Sequence, residues 1–165
     1  IPYLAKASNL LVVTNSVANA STLADYQVET FVPGGRLKAS TKALVGSNMT
    51  KSLGNYHFDK AFIGTNGFSI KDGFTTPDTE ESATKEIALQ NSHEKFIVAD
   101  SSKCGQVSFS RFANLNEATL ITNELPSKTL EKIKIGTYSN KLNLKTMEKQ
   151  IGTKQRILTS GIGKI

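Results

Sequence analysis

Tryptophan is absent, cysteine occurs once and histidine only twice in 165 residues. A lone Cys104 excludes an internal disulfide, and neither His57 nor His93 lies at zinc-ligand spacing from it. No metal site and no cofactor are expected, and the two histidines are given no role. Cys104 reads as a structural thiol, although the neighbouring Lys103 would favour its thiolate. Long apolar runs are missing too. The longest aliphatic stretch, Leu10 to Val13, is far too short to cross a bilayer. No signal peptide is visible at the start, so a cytoplasmic protein without a membrane partner is expected. The first residue is Ile1 rather than Met, and the chain opens abruptly before a strand, which suggests a fragment of a longer protein.

Charge of one sign is in modest excess. The net charge is +6 and the isoelectric point about 9.4, a balance that would suit an acidic partner. The basic residues are dispersed, however, with a mild excess near the C-terminus at Lys141, Lys145, Lys149, Lys154, Arg156 and Lys164. No basic run interleaves with aromatics, so direct nucleic-acid binding by this segment is not expected. The length suits one domain spanning 1–165 with a real core.

What is present is an alternation of strand-like and helix-like patterns. "NLLVVTN", "VETFV", "KAFIG", "KFIVA" and "ATLIT" read as strands. "SVANASTLAD" reads as a helix with Val17, Ala20, Leu23 and Ala24 on one face. "STKALVGSNMTKSLGNY" reads as a helix on Val45, Met49 and Leu53. In "TPDTEESATKEIALQNS", Asp78 and Glu81 have the spacing of an N-cap and its partner three residues on, and Ala83, Ile87 and Ala88 form the buried stripe. A short helix over "PSKTLEKI" and a strand over "KIKIG" follow, and the tail from Leu142 is left unassigned. The fold class is α/β, a Rossmann-like, mostly parallel sheet with flanking helices.

In such sheets ligands bind beyond the carboxyl ends of the strands. Three of those ends are polar: Thr14-Asn15-Ser16, Gly64-Thr65-Asn66-Gly67 and Asp100-Ser101-Ser102-Lys103. Short hydroxyl and amide side chains with free N–H groups suit a polyol, and one compact cation suits its phosphate. Each group also has a plain reading by itself. Thr14-Asn15-Ser16 would serve as a helix cap, and Gly34, Gly35, Gly64 and Gly67 as turn residues. Asp100 and Lys103 would form a surface ion pair, and Glu80, Glu81, Lys85 and Glu86 a solvated helix face. Phe109 and Phe112, either side of Arg111, read as core or interface. "GTNG" lacks the dinucleotide-binding spacing. What favours a pocket is that several polar ends fall on one edge.

The order of "VVTNS", "PGG", "GTNGFSIKDGFTT", "EESATKEIAL", "VADSSKCG" and "SFSRF…LITNEL" resembles the C-terminal effector-sensing domain of DeoR-type bacterial transcriptional repressors. Within them it looks most like the sugar-catabolic branch, such as the repressors of lactose–tagatose or fructose operons. The resemblance covers roughly residues 9 to 125. It implies a fold similar to ribose-5-phosphate isomerase, a sugar phosphate effector and a homo-oligomer. It also implies operator DNA as a partner only through an N-terminal helix-turn-helix domain that this chain lacks. Carried across by motif, Asn15, Gly35, Asp100 and Lys103 would line the pocket, with Glu81 and Lys85 facing it and Lys103 as the main anchor. No catalytic residue is implied. Three departures stand out. An Asp-Ser-Gly-Thr-Thr phosphate loop expected before the first strand is missing, Asn66 stands where an Asp is common, and Cys104 stands where an aromatic is common. An aldose–ketose isomerase-like enzyme and an oligomerisation module with a vestigial pocket stay open beside the sensor.

Overall fold

Strands that are apolar at successive positions bury both faces, and only a sheet covered on both sides permits that. In the computed structural model, which describes residues 9–123, 125 and 155–160, this is how the chain folds. The central sheet joins β1 (Leu10–Thr14), β2 (Glu29–Phe31), β5 (Phe58–Gly64), β8 (Ser92–Val98), β10 (Thr119–Ile121) and β11 (Gln155–Ser160) in the order β10-β8-β5-β11-β1-β2. Every pairing in it is parallel. The expected α/β class is therefore what the structure shows.

The middle of the sheet belongs to a strand from the far end of the chain. β11 pairs with β1 from Leu10↔Gln155 to Thr14↔Thr159, and with β5 from Lys60↔Ile157 to Ile63↔Ser160. Ile157 and Leu158 are both buried, one on each face. The tail from Leu142 carried no assigned element, and β11 fills part of it. The helix expected over "PSKTLEKI" and the strand over "KIKIG" lie outside the described residues.

Three helices are described. The helix α1 (Val17–Asp25) starts at Ser16, whose hydroxyl accepts from the Asn19 N–H at 3.3 Å, so the cap expected in Thr14-Asn15-Ser16 is real. Only Leu23 of its expected stripe is buried, and Val17 is exposed. The next helix, α2 (Ser47–Gly54), is shorter than its pattern suggested. Val45 belongs instead to β4 (Ala43–Val45), which forms a hairpin with β3 (Arg36–Lys38). Met49 and Leu53 are buried as expected; Val45 mimicked the helical spacing because it is also buried, but from an extended segment. The last helix, α3 (Thr79–Gln90), is capped by Asp78, which accepts from the Glu81 N–H at 2.9 Å. Its buried face is Glu81, Ser82, Thr84, Lys85, Ala88 and Leu89; of the expected stripe Ala88 is buried, Ile87 packs partly buried against the core, and Ala83 is only partly covered.

A second small sheet, β6 (Gly67–Ser69), β7 (Gly73–Thr76) and β9 (Ser110–Ala113), was not anticipated. It covers one face of the main sheet with α2 and α3 around Phe68, Phe74, Phe112, Ile63 and Ile97. On the other face Leu10, Val12, Leu23, Phe62, Phe96 and Ile157 pack together, with the Phe62 and Phe96 rings stacked 5.0 Å apart. Phe112 is thus core, whereas Phe109 is 85% exposed.

Because β11 is central, Ile157→Ala should lower unfolding stability by about 2–5 kcal/mol, the usual cost of a buried Ile truncation. A urea titration that left the midpoint unchanged would contradict the placement of this strand.

Candidate functional site

Parallel pairing puts the carboxyl ends of all six central strands on one edge. The chain runs outward from β1 to β2 in one direction and from β5 to β8 to β10 in the other. The reversal falls at β11, and such a switch point is where open α/β sheets hold ligands. Asn15 follows β1, Thr65 and Asn66 follow β5, and Asp100 follows β8 shortly after its end. The β1 and β8 ends are three strand spacings apart, about 14 Å.

The densest polar group lies at the start of α3. The Lys38 ammonium donates to Asp78 Oδ2 at 2.8 Å and to Glu81 Oε1 at 3.0 Å. Thr41 Oγ1 donates to the same Glu81 oxygen at 3.1 Å. The other Glu81 oxygen lies 3.9 Å from Lys85 Nζ. Lys85 also donates to Thr76 Oγ1 at 3.3 Å and sits 5.3 Å from the centre of the Phe112 ring. Thr76 has one proton, and at 2.9 Å Asn66 Oδ1 is its better acceptor than the more distant Glu81. A chain of contacts therefore runs Asp78, Lys38, Glu81, Lys85, Thr76, Asn66.

Glu81 is one turn from Lys85 on a face that turns inward, because the Asp78 cap fixes where the helix begins. Asp78 and Glu81 make half of a capping box. The Glu81 carboxylate goes instead to Lys38, Thr41 and Lys85. The expected solvated face is overturned for these two residues, which are 8% and 3% exposed, while Glu86 stays exposed. Burial pushes the Lys85 ammonium down to about 8, against the opposing pull of Glu81. Hydrogen bonding to Asp78 raises Lys38, and the same bond, helped by the Glu81 N–H, lowers Asp78.

The other predicted residues occupy two places. Asn15 is buried at the end of β1. Its Nδ2 donates to the Leu44 carbonyl at 3.1 Å, and its Oδ1 has no partner among the described residues. Gly35 is exposed at the root of the β3–β4 hairpin, where any Cβ would come within 2.7 Å of the Val45 carbonyl oxygen. Asp100 and Lys103 lie on a separate turn. Asp100 is exposed and caps it by accepting from the Ser102 N–H at 2.9 Å, and bonding to Ser102 lowers its pKa. Asn123 fastens this turn through the Ser101 N–H and hydroxyl. Lys103 is half-buried and makes no ion pair among the described residues, with Asp100 or otherwise. Cys104 bridges to Phe68, so the turn is held against β6. The structure thus joins Glu81 to Lys85. Lys38, Thr41 and Thr76 were not anticipated: Lys38 looks like any dispersed lysine, and only the fold brings it to α3. Among the described residues no three His, Cys, Asp or Glu side chains cluster as a metal site, and no helix is long and apolar enough to cross a membrane.

The family model for the DeoR C terminal sensor domain matches residues 1–124. The chain belongs to the DeoR sensor-domain family. The sensor domain is 36% identical over 131 residues to an uncharacterized HTH-type transcriptional regulator FruR of Bacillus subtilis, covering 79% of this chain and 52% of that protein. It is 37% identical over 124 residues to the HTH-type transcriptional repressor GlcR of the same organism, covering 74% and 48%. A lactose phosphotransferase system repressor of Staphylococcus epidermidis is 36% identical over 125 residues, covering 73% and 48%. The chain spans about half the length of the curated relatives it matches. The first two of these relatives are named as transcriptional regulators and the third as a repressor.

Lys85 sets a pH test. Its folded pKa, about 8, lies below the ordinary 10.5, so the unfolded chain holds the extra proton between those values. Stability from this group should therefore rise as pH increases from about 8 to 10.5 and be flat below that window. The Lys38 contribution is lost only above 10.5 and does not mask it. In Lys85→Met the rise should disappear, as read from urea midpoints across the window.

Proposed function

We propose that this sensor domain binds a phosphorylated sugar and that binding controls operator affinity in the parent regulator. The observation that carries the reading is the polar edge. A family member whose relatives include a lactose phosphotransferase system repressor gathers hydroxyl, amide and ammonium groups around the switch point of its sheet. In this reading Asn15, Gly35 and Glu81 address the sugar hydroxyls. Lys103, which has no carboxylate partner among the described residues, takes the phosphate, with Asp100 shaping its turn and Lys85 adding charge from the other side. The domain acts as one cytoplasmic sensing unit with a fold like ribose-5-phosphate isomerase, forms a homo-oligomer, and leaves DNA contact to another part of the parent protein.

The role is regulatory rather than catalytic. An isomerase needs a base beside a C–H bond. Asn66 carries no carboxylate, and relatives of this chain are named as transcriptional regulators. Coupling between effector and operator is then a difference in affinity between two conformations, typically ~1–3 kcal/mol.

A panel of hexose and pentose phosphates is the test, with melting temperature and isomerase activity recorded together. A ligand at about 100 times its dissociation constant should add about 2.7 kcal/mol of stability, without turnover. Lys103→Ala should melt like the wild type but lose the shift. Turnover would favour the isomerase, and silence from every ligand would favour an oligomerisation module. A full shift in Lys103→Ala would remove this residue as the anchor.

A further inference from the structure

Three residues proposed to meet the effector are out of its reach in this structure. Asn15, Glu81 and Lys85 are 5%, 8% and 3% exposed. A polyol cannot bond to such groups unless what covers them moves. Asn15 and Glu81 are covered by the same segment, the β3–β4 hairpin. Leu44 closes on Asn15 through its N–H, 2.8 Å from the Asn15 carbonyl, and through its own carbonyl, which takes the Asn15 amide. Lys38 and Thr41 close on Glu81. Lys85 lies one step deeper, behind Glu81.

The hairpin has the makings of a hinged piece. Its strands pair with each other and with no other strand among the described residues. From Arg36 to Lys42 no side chain is buried, and of the whole segment only Ala43 and Val45 are. These two small side chains and the partly buried Leu44, which packs against the core, are modest apolar burial to hold ten residues. Backbone bonds from residues 15–17 to Lys42 and Leu44 hold its β4 end, and charge holds its β3 end. Lys38 is paired to Asp78 and Glu81, and Arg36 to Glu80, all three carboxylates coming from the start of α3. Each base of the hairpin carries glycine. Gly34 has open space where a side chain would be, and Gly46 has a φ of +108°. Asn15 Oδ1, buried without a partner among the described residues, is the cost of the closed position and would regain one on opening.

We propose that residues 36–45 form a lid over the effector site, latched shut by Lys38 and Arg36 on the carboxylates of α3. The identity of what enters rests on the sugar-phosphate reading; the motion does not. An anionic ligand would compete with Asp78 and Glu81 for Lys38 and so loosen the latch as it arrives.

Hydrogen exchange on the full chain without ligand tests the lid. Partly buried ion pairs weaken with salt and with loss of one partner. Amides of 36–45, together with the Val17 N–H bonded to the Lys42 carbonyl, should exchange about tenfold faster in Lys38→Met, and faster in wild type at about 0.5 M salt. Amides of β5 and β8 should keep their rates. Hairpin exchange indifferent to salt and to the substitution would overturn the proposal, as would rates that rise only in step with β5 and β8. If Lys38→Met does not fold, the salt series on wild type decides. The phosphate panel separates the two ideas: a salt-sensitive hairpin with no ligand response sinks the effector and keeps the lid, and ligand binding over a rigid hairpin does the reverse.

Discussion

The polar edge exists because β11 hydrogen-bonds to β1 on one side and β5 on the other. Each parallel strand needs its backbone donors and acceptors met on both sides when it is buried. With Gln155–Ser160 in place, the ends of β1 and β5 are held two strand spacings apart and face the same way. Asn15, Asn66 and, through the small sheet, Thr76 then share a neighbourhood. Take β11 away and β1 and β5 have no reason to lie in one sheet.

The charged network at α3 is a second constraint, of another kind. Burying Lys85 and Glu81 gains little stability, because desolvation offsets most of the attraction. Their separation of 3.9 Å is loose for an ion pair, and Lys38 rather than Lys85 satisfies most of Glu81. A fold needing only stability would do as well with apolar side chains there. In the proposed reading, this mixed-charge interior beside the switch point is recognition chemistry held ready.

The sequence revealed these features unevenly. Runs such as "LLVV" and "KFIVA" showed themselves as strands because a parallel strand buries both faces. The Asp78 cap showed itself through spacing alone. The β3–β4 hairpin did not, because Val45, Met49 and Leu53 fall at helical spacing although an extended residue supplies the first. β11 hid because "QRILTS" holds two adjacent apolar residues in a basic tail, and only its partners make it a core strand. The inward turn of Glu81 and Lys85 was misleading for the opposite reason. Charged residues one turn apart ordinarily face water, and nothing local says that Lys38 will arrive from forty residues earlier. The convergence of strand ends could be argued beforehand; the separate turn that carries Asp100 and Lys103 shows that convergence is coarser than contact.

The hydroxyl of Thr14 donates to the carbonyl of Thr159, 145 positions away. That separation says something about how the molecule is made. Two of the five pairings in the main sheet, those that join β1–β2 to β5–β8–β10, form only when β11 meets β1 and β5. High contact order of this sort slows folding and leaves sticky intermediates. The architecture that sets its polar loops around a central strand thereby makes the joining of its two halves a long-range step in folding.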